Sequence, residues 1–346
     1  MNKKIKIYGA GSIGNHLAYS SLFLKNSVEV VDKDPLALRR MKYEIYPSRY
    51  KSWNNKIKLT DLKNDNDFSH DYYFIGTPPD TRIKLLKKIL KYNLKPKAIL
   101  IEKPISVAKS KNIEDLKKIL NKFTSKKIKI YCGYNHSVSK SFTYFLNEIS
   151  KRKKDKILSI ESNWNETTEG ILNAHSWLKN IYASYLGSYI HGGGSIHEHS
   201  HGLHLFLFIL NFLKLSQGSR YKKLQFYKSR NNYKHDYLTN FQFIGKNNIV
   251  YKINTDFYTS PAQKNIKIQY KNFRLEIHFS TVNNQDEIHF YNDNKISKKI
   301  FKKTRKEDFT FEIKHILDIK TNKQYLSSPL NYKNGLNVVE FINKNY

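Results

Sequence analysis

Residues 4–14 read KIKIYGAGSIG, and the reading of this stretch decides the fold. Lys4–Tyr8 has the pattern of a short strand. The next residues carry Gly9-x-Gly11-x-x-Gly14 and open an amphipathic helix predicted over Ser12–Lys25, with Ile13, Leu17 and Leu24 on one face. In that setting each glycine has a task. Gly9 permits a tight turn, Gly11 lets the backbone approach a pyrophosphate, and Gly14 lets the helix pack close to the strand. The free N–H groups of the first helical turn, beginning at Ser12 and Ile13, then face the phosphates. Asp32 lies 18 residues beyond Gly14, at the end of a predicted strand over Val28–Val31. A carboxylate there accepts hydrogen bonds from the adenosine ribose and repels a 2′-phosphate, so NAD is favoured over NADP. Lys33 flanks it, and Lys33, Arg39 and Arg40 are the cations that a 2′-phosphate would meet.

Beyond this turn, strand patterns at Lys56–Leu59, Tyr72–Ile75, Ala98–Ile101 and Lys127–Tyr131 alternate with helical ones at Pro35–Ile45, Thr81–Tyr92 and Asn112–Phe123, the last with Asn112 as N-cap. Such alternation predicts βαβ units and a parallel sheet. Ligands of open α/β sheets sit outside the carboxyl ends of the strands. Three segments fall there: Thr77-Pro78-Pro79 after Gly76, Glu102-Lys103-Pro104, and Asn135 after the last strand. A proline after Lys103 admits a cis peptide. A Lys and a Glu at such a strand end are placed to reach the nicotinamide ribose and the substrate.

From residue 136 the rhythm changes. A glycine cluster and a helix, about 192–213, precede strand-like runs at Leu224–Tyr227, Thr239–Ile244, Ile249–Phe257, Ile266–Tyr270, Leu275–Phe279 and Glu287–Tyr291, and Ile157–Trp164 comes before them. The expected architecture is an α/β protein: a Rossmann doubly wound parallel sheet over residues 1–135, then an α+β domain over 136–346 with a large, mainly antiparallel open sheet for substrate binding and oligomerisation.

Composition narrows the class. The 346 residues suffice for about two domains at ~150 residues each. Hydrophobic residues at 39% exclude a disordered chain although 26% are charged. A single cysteine, Cys132, excludes a disulfide scaffold and a Cys-based zinc site, and fits a cytoplasmic location. Lysines lead directly into the first strand, without the apolar core of a secretory signal. The longest apolar run, Leu203–Leu213, is interrupted by His204 and Asn211 and falls short of the ~20 residues of a membrane span. The net charge of +32 raises the question of a polyanionic partner. Its lysines are scattered over helix faces, however, and no nucleic-acid-binding motif gathers them, so the reading is compositional bias rather than nucleic-acid binding.

The motifs GAGSIG, VVDKDP, GTPP, EKP and Gly133-Tyr134-Asn135-His136, in this order, resemble the Gfo/Idh/MocA oxidoreductases, named for glucose–fructose oxidoreductase and inositol dehydrogenase. The resemblance continues through Gly192-Gly193-Gly194 to Glu198 and His201, and through Phe311-Glu312-Ile313 to Gly335-Leu336. It implies hydride transfer between NAD(P) and the secondary alcohol of a sugar or sugar derivative, in a homo-oligomer packed through the open sheet. It also implies that Lys103 and His201 act at the substrate, with Glu198 supporting His201. The sequence departs from the family where Arg82 replaces a histidine after the PP turn, where Glu198 stands three residues before His201, and where His204 replaces an aspartate. The Glu-x-Ser-His variant resembles a branch associated with surface-polysaccharide sugars. Other readings on the same fold are an imine or unsaturated-bond reductase and a non-catalytic dinucleotide sensor or scaffold.

His197, His201 and His204 would share one face of a continuous helix, at i, i+4 and i+7. The expectation is a polar substrate pocket lining, joined by Trp164 as a stacking surface for a sugar; no metal is expected there.

Overall fold

The computed structural model describes residues 2–92, 95–281, 283–292 and 295–346. They form two compact units: Met1–Asn135 with Arg305–Val339, and His136–Thr304 with Glu340–Tyr346.

The first unit is built on six parallel strands, β1 (Lys4–Tyr8), β2 (Ser27–Asp32), β3 (Ile57–Asp61), β4 (Tyr72–Ile75), β5 (Ala98–Glu102) and β6 (Lys129–Gly133), in the order β3-β2-β1-β4-β5-β6. The order reverses between β1 and β4, the switch point where doubly wound sheets bind ligands. β4 (YYFI) and β5 (AILIE) are buried along their whole length, as strands covered on both faces must be. The connecting helices are α1 (Ser12–Phe23), α2 (Pro35–Arg40), α3 (Tyr46–Tyr50), α4 (Arg82–Lys91) and α5 (Ser110–Ser125). The helix expected over Pro35–Ile45 divides: a π-helical turn at Met41–Ile45 separates α2 from α3. α5 starts two residues before the expected N-cap Asn112, after Lys109, yet buries the expected Ile113, Leu116, Leu120 and Phe123.

The second unit holds an eight-stranded sheet: β7 (Ile157–Asn165), β8 (Ser219–Arg230), β9 (Tyr233–Ile244), β10 (Val250–Asp256), β11 (Gln263–Tyr270), β12 (Phe273–Thr281), β13 (Gln285–Asn292) and β14 (Lys295–Lys302). Its order is β14-β13-β12-β11-β7-β10-β9-β8, antiparallel except for the parallel β7–β10 pair. One face is apolar, with Ile160, Tyr251, Ile253, Ile266, Ile268, Leu275, Ile277 and Ile288 buried. Helices α6 (Lys140–Lys151), α7 (Thr168–Asn173), α8 (Ser195–Glu198) and α9 (Ser200–Phe212) complete this part of the chain. The other face is polar. Asn163 donates to Asn265 at 3.0 Å, Asn254 to Asn163 at 2.7 Å, and Asn240 to Asn254, so side-chain amides run across four strands. Three elements of this part of the chain escape the sequence pattern, α6, α7 and β14. The last reads KISKKIFK and is almost wholly exposed. Lysines on such an edge oppose pairing with another chain and also erase the alternation that marks a strand.

Three helices close the chain: α10 (Arg305–Asp318), α11 (Asn322–Ser327) and α12 (Tyr332–Asn345). The sequence places residues 305–339 in the second domain, whereas they pack within the first unit. The cause is an apolar flank and an open edge of the parallel sheet. Phe309 stacks on His16 of α1 with ring centroids 4.6 Å apart, and Ile313 and Ile316 are buried. The edge strand β6 donates from Cys132 N to Leu330 O at 2.8 Å, and the Tyr325 hydroxyl bonds both backbone groups of Ile130 at 3.1 Å. Gly335 allows the approach, since a Cβ there would stand 2.6 Å from the Cys132 sulfur.

Candidate functional site

The glycine turn has the geometry its spacing predicts. Gly9 adopts φ +107°, and a Cβ on it would lie 3.1 Å from the Gly76 carbonyl. A Cβ on Gly14 would stand 1.8 Å from Gly9 O, so only glycine lets α1 start this close to β1. Gly11 meets nothing within 4 Å on its Cβ side and leaves its backbone open to a ligand. Asn15 pins the turn by donating to Ala10 O at 3.2 Å and Gly11 O at 2.8 Å. Asp32 stands at the end of β2, where its carboxylate accepts from Ala10 N at 2.7 Å and Asp34 N at 2.9 Å. Lys33 beside it is exposed, and Ile13 lies 3.4 Å from the Cβ position of Gly76. Ser12 accepts from Arg49 twice at 2.9 Å, through its carbonyl and its hydroxyl. Arg49 thus sets a guanidinium at the start of α1. Sequence reasoning missed it, because α3 carries no motif and reaches α1 only through the π-helical turn.

A second arginine organises the other two strand ends. Arg82, buried at the start of α4, donates from Nε to Thr77 O at 2.8 Å and from Nη1 to the carbonyls of Glu102 and Pro104. One guanidinium therefore ties the Thr77-Pro78-Pro79 turn to the Glu102-Lys103-Pro104 turn. The Lys103–Pro104 peptide is cis. The sequence signal was present, since Arg82 is where the chain departs from the family's histidine; the carbonyls it serves were not visible there.

Glu102 is buried against Gly133, where a Cβ would lie 2.6 Å from its Oε1. Its Oε2 accepts from Lys103 N at 3.2 Å, while Oε1 has no hydrogen-bond partner among the described residues. Burial pushes its pKa up, against the pull of Arg82 and Lys103. Glu312 on α10 is fully buried with neither oxygen hydrogen-bonded among the described residues; burial, and then the charge of Glu102, push it well above the carboxylate range. The buried Asn135 also leaves Oδ1 without a hydrogen-bond partner. Unused acceptors at Glu102 and Asn135, with the open face of Gly11, fit a ligand rich in hydroxyl and amide donors. A dinucleotide is such a ligand.

In the second unit, His201 and Trp164 come together, ring centroids 5.7 Å apart. His136 joins them, 4.9 Å from His201 and 5.2 Å from Trp164, and Phe279 lies 5.4 Å from Trp164. Gly202 makes this possible, because a Cβ there would lie 2.8 Å from Ser162 Oγ on β7. His136, Phe279 and Lys303, whose ammonium lies 5.9 Å from the Phe279 ring and 3.0 Å from Asp286, were not foreseen as neighbours of this cluster. The shared helix face does not hold. The helix breaks at His199, so His197 and Glu198 belong to the short α8, and His201 and His204 to α9. The His197 ring packs on Tyr189 at 5.0 Å and the His204 ring on Phe208 at 6.3 Å. Asp236 holds the glycine cluster in place, accepting from Ile196 N at 2.9 Å and from the Ser195 hydroxyl.

A parallel sheet in the order 3-2-1-4-5-6 with this glycine turn defines an NAD-binding Rossmann unit. Residues 3–134 match the Gfo/Idh/MocA family model, described as an oxidoreductase family with an NAD-binding Rossmann fold. Among curated proteins, none matches this sequence. Solved structures share the fold over nearly the whole chain. UDP-N-acetylglucosamine 3-dehydrogenase GnnA of Acidithiobacillus ferrooxidans superimposes with TM-score 0.66 at 11% identity, covering 100% of this chain and 97% of that one. The WlbA dehydrogenase of Bordetella pertussis, solved with NADH and UDP-GlcNAcA, gives 0.65 at 13% identity, covering 99% and 95%. KijD10, a 3-ketoreductase of Actinomadura kijaniata solved with NADP, gives 0.70 at 8%, covering 99% and 96%.

Proposed function

We propose that the protein interconverts a secondary alcohol and a ketone on a sugar or sugar derivative, with NAD as hydride carrier, and that the sugar is nucleotide-linked and destined for a surface polysaccharide. The observation that carries this reading is Lys103, set directly after the buried Glu102 at the carboxyl end of β5 and held by Arg82 across four backbone carbonyls, its own among them. The three structural neighbours named above, two with UDP-linked sugars in their names, support the substrate class.

Gly9, Gly11, Ser12, Ile13 and Gly14 would hold the pyrophosphate, Asp32 and Lys33 the adenosine ribose, and Thr77, Pro78, Pro79, Glu102, Lys103 and Asn135 the nicotinamide end. The bound nicotinamide supplies the hydride acceptor or donor. Lys103 holds the reacting hydroxyl, and either Lys103 or His201 moves its proton. Glu198 orients His201 or binds a substrate hydroxyl. Trp164 offers an apolar face to the sugar, with His197 and His204 as polar lining. We place the protein in the cytoplasm as a homo-oligomer. Leu224 and Phe226 on β8 and Ile296 and Ile300 on β14 are half or more exposed, which supports a covered sheet. No helix among the described residues is long and apolar enough to cross a membrane.

Native mass spectrometry and absorbance with NAD(H) and NADP(H), followed by a screen of UDP- and TDP-sugars for change in reduced-nicotinamide absorbance, test the reading. NAD(H) should bind. Lys103→Ala and His201→Ala should each cut turnover at least ~100-fold while still binding cofactor. Binding of neither cofactor, or near-normal turnover in both variants, would overturn the assignment. Cofactor binding with no turnover of any sugar would favour a sensor.

A further inference from the structure

On the polar face of the second unit's sheet, β12 and β13 run antiparallel with Glu276 opposite His289 and His278 opposite Glu287. This register gathers two imidazoles and two carboxylates on one face. The rings of His278 and His289 lie 4.5 Å apart. His278 Nε2 is 2.7 Å from Glu276 Oε2, and His289 Nε2 is 2.8 Å from Glu287 Oε2. One ligand atom from each of Glu276, His278 and His289 lies within 4.8 Å of the other two. We propose that Glu276, His278 and His289 form a site for a divalent transition-metal ion of the zinc type, with Glu287 as the adjoining carboxylate.

The chemistry matches the ion. Imidazole nitrogen and carboxylate oxygen at ~2.0–2.2 Å are the zinc ligands of choice outside thiolates, and shifts of about 1 Å would draw these atoms to that distance. Surrounding groups orient the ligands as an outer shell does. Arg274 Nε lies 2.7 Å from Glu276 Oε1, and the Tyr291 hydroxyl 3.2 Å from His289 Nδ1. In the single chain the side chains of His278 and His289 keep 25% and 11% exposure. A second cluster, Glu29, Asp67 and His70, has a single imidazole and two ammoniums on Glu29, Lys58 at 2.8 Å and Lys6 at 3.2 Å; at the proposed site Arg274 holds the other oxygen of Glu276, and Lys298 stands 3.7 Å from Glu287.

The site is independent of the proposed redox reaction, and so is its test. Metal-stripped full-length protein is titrated with zinc chloride in a calorimeter, with magnesium chloride as the hard-cation control. One zinc ion per chain should bind, with no response to magnesium, and His278→Gln and His289→Gln should each weaken binding at least ~10-fold. Wild-type protein is also treated with diethyl pyrocarbonate, and zinc should protect the peptides carrying His278 and His289. The second measurement needs no variant and stands if a substitution impairs folding. Absence of stoichiometric zinc binding, equal affinity in both variants, or unprotected His278 and His289 would each overturn the proposal.

Discussion

The first unit buries two groups of carboxylates and treats them in opposite ways. Glu29 on β2 and Asp65 after β3 sit among cations. Lys6, fully buried on β1, contacts both; Lys58 lies 2.8 Å from Glu29, Lys88 2.8 Å from Asp65, and the Tyr8 hydroxyl donates to Asp65 at 3.0 Å. Burial alone would raise Glu29, but His70, Lys58, Thr60 and Lys6 hold it well below the carboxylate range. Glu102 and Glu312 lie as deep, and their unpaired oxygens have no such partners. Both are pushed up. A buried carboxylate ringed by ammoniums stays charged and holds strands together. Where burial outweighs the nearby cations, as at Glu102 and Glu312, the carboxyl is pushed up instead, and Glu102 adjoins Lys103, the residue we assign to the reacting hydroxyl.

Breaking the ion cluster should have the largest effect. Lys6→Met leaves Glu29 and Asp65 short of charge in a dry interior and should cost about 3 kcal/mol or more, read by urea denaturation of the full chain. A loss under about 1 kcal/mol would mean that Lys58 and Lys88 suffice. The pH dependence sharpens the contrast, because the two signs are opposite. Glu29 is lowered on folding, so its contribution is present above the unfolded value near 4.5 and fades as pH falls. Glu29→Gln should destabilise by about 1–3 kcal/mol at neutral pH and progressively less below 4.5. Glu312 is raised, so its ionisation weighs against the fold as pH rises above 4.5. Glu312→Gln should be near neutral at low pH and increasingly stabilising, relative to the wild type, as pH rises above 4.5. Parallel melting curves across pH check both, and curves of the same sign would break the comparison. At Arg82 the expected effect is of the same size as at Glu29. Arg82→Ala frees the carbonyls of Thr77, Glu102, Lys103 and Pro104 and should cost about 1–3 kcal/mol or more, together with weaker NADH binding by fluorescence titration.

Much of this fold was legible because its signals are local. The glycine spacing requires a positive φ at Gly9 and no side chain at Gly14, and both requirements appear in the structure. Apolar runs at β4 and β5 and the buried stripe of α5 follow directly from residue order. The edge strand β14 was not legible, since its lysines carry no burial pattern. Nor was the packing of α10 on α1, which depends on an uncovered flank far away in sequence. At the candidate site, the rings of Trp164 and His201 lie 5.7 Å apart, but a single break at His199 separates His197 from the helix of His201 and His204.

By itself, then, the order of residues determined the Rossmann unit, its dinucleotide turn and the strand ends that carry Lys103 and Glu102. These rest on backbone requirements that a few neighbouring residues satisfy. Only the tertiary structure decided which buried carboxyls have ammonium partners, which carbonyls Arg82 serves and which histidines share a face of the sheet. Each of these depends on burial and strand register, and both are set by contacts between residues distant along the chain.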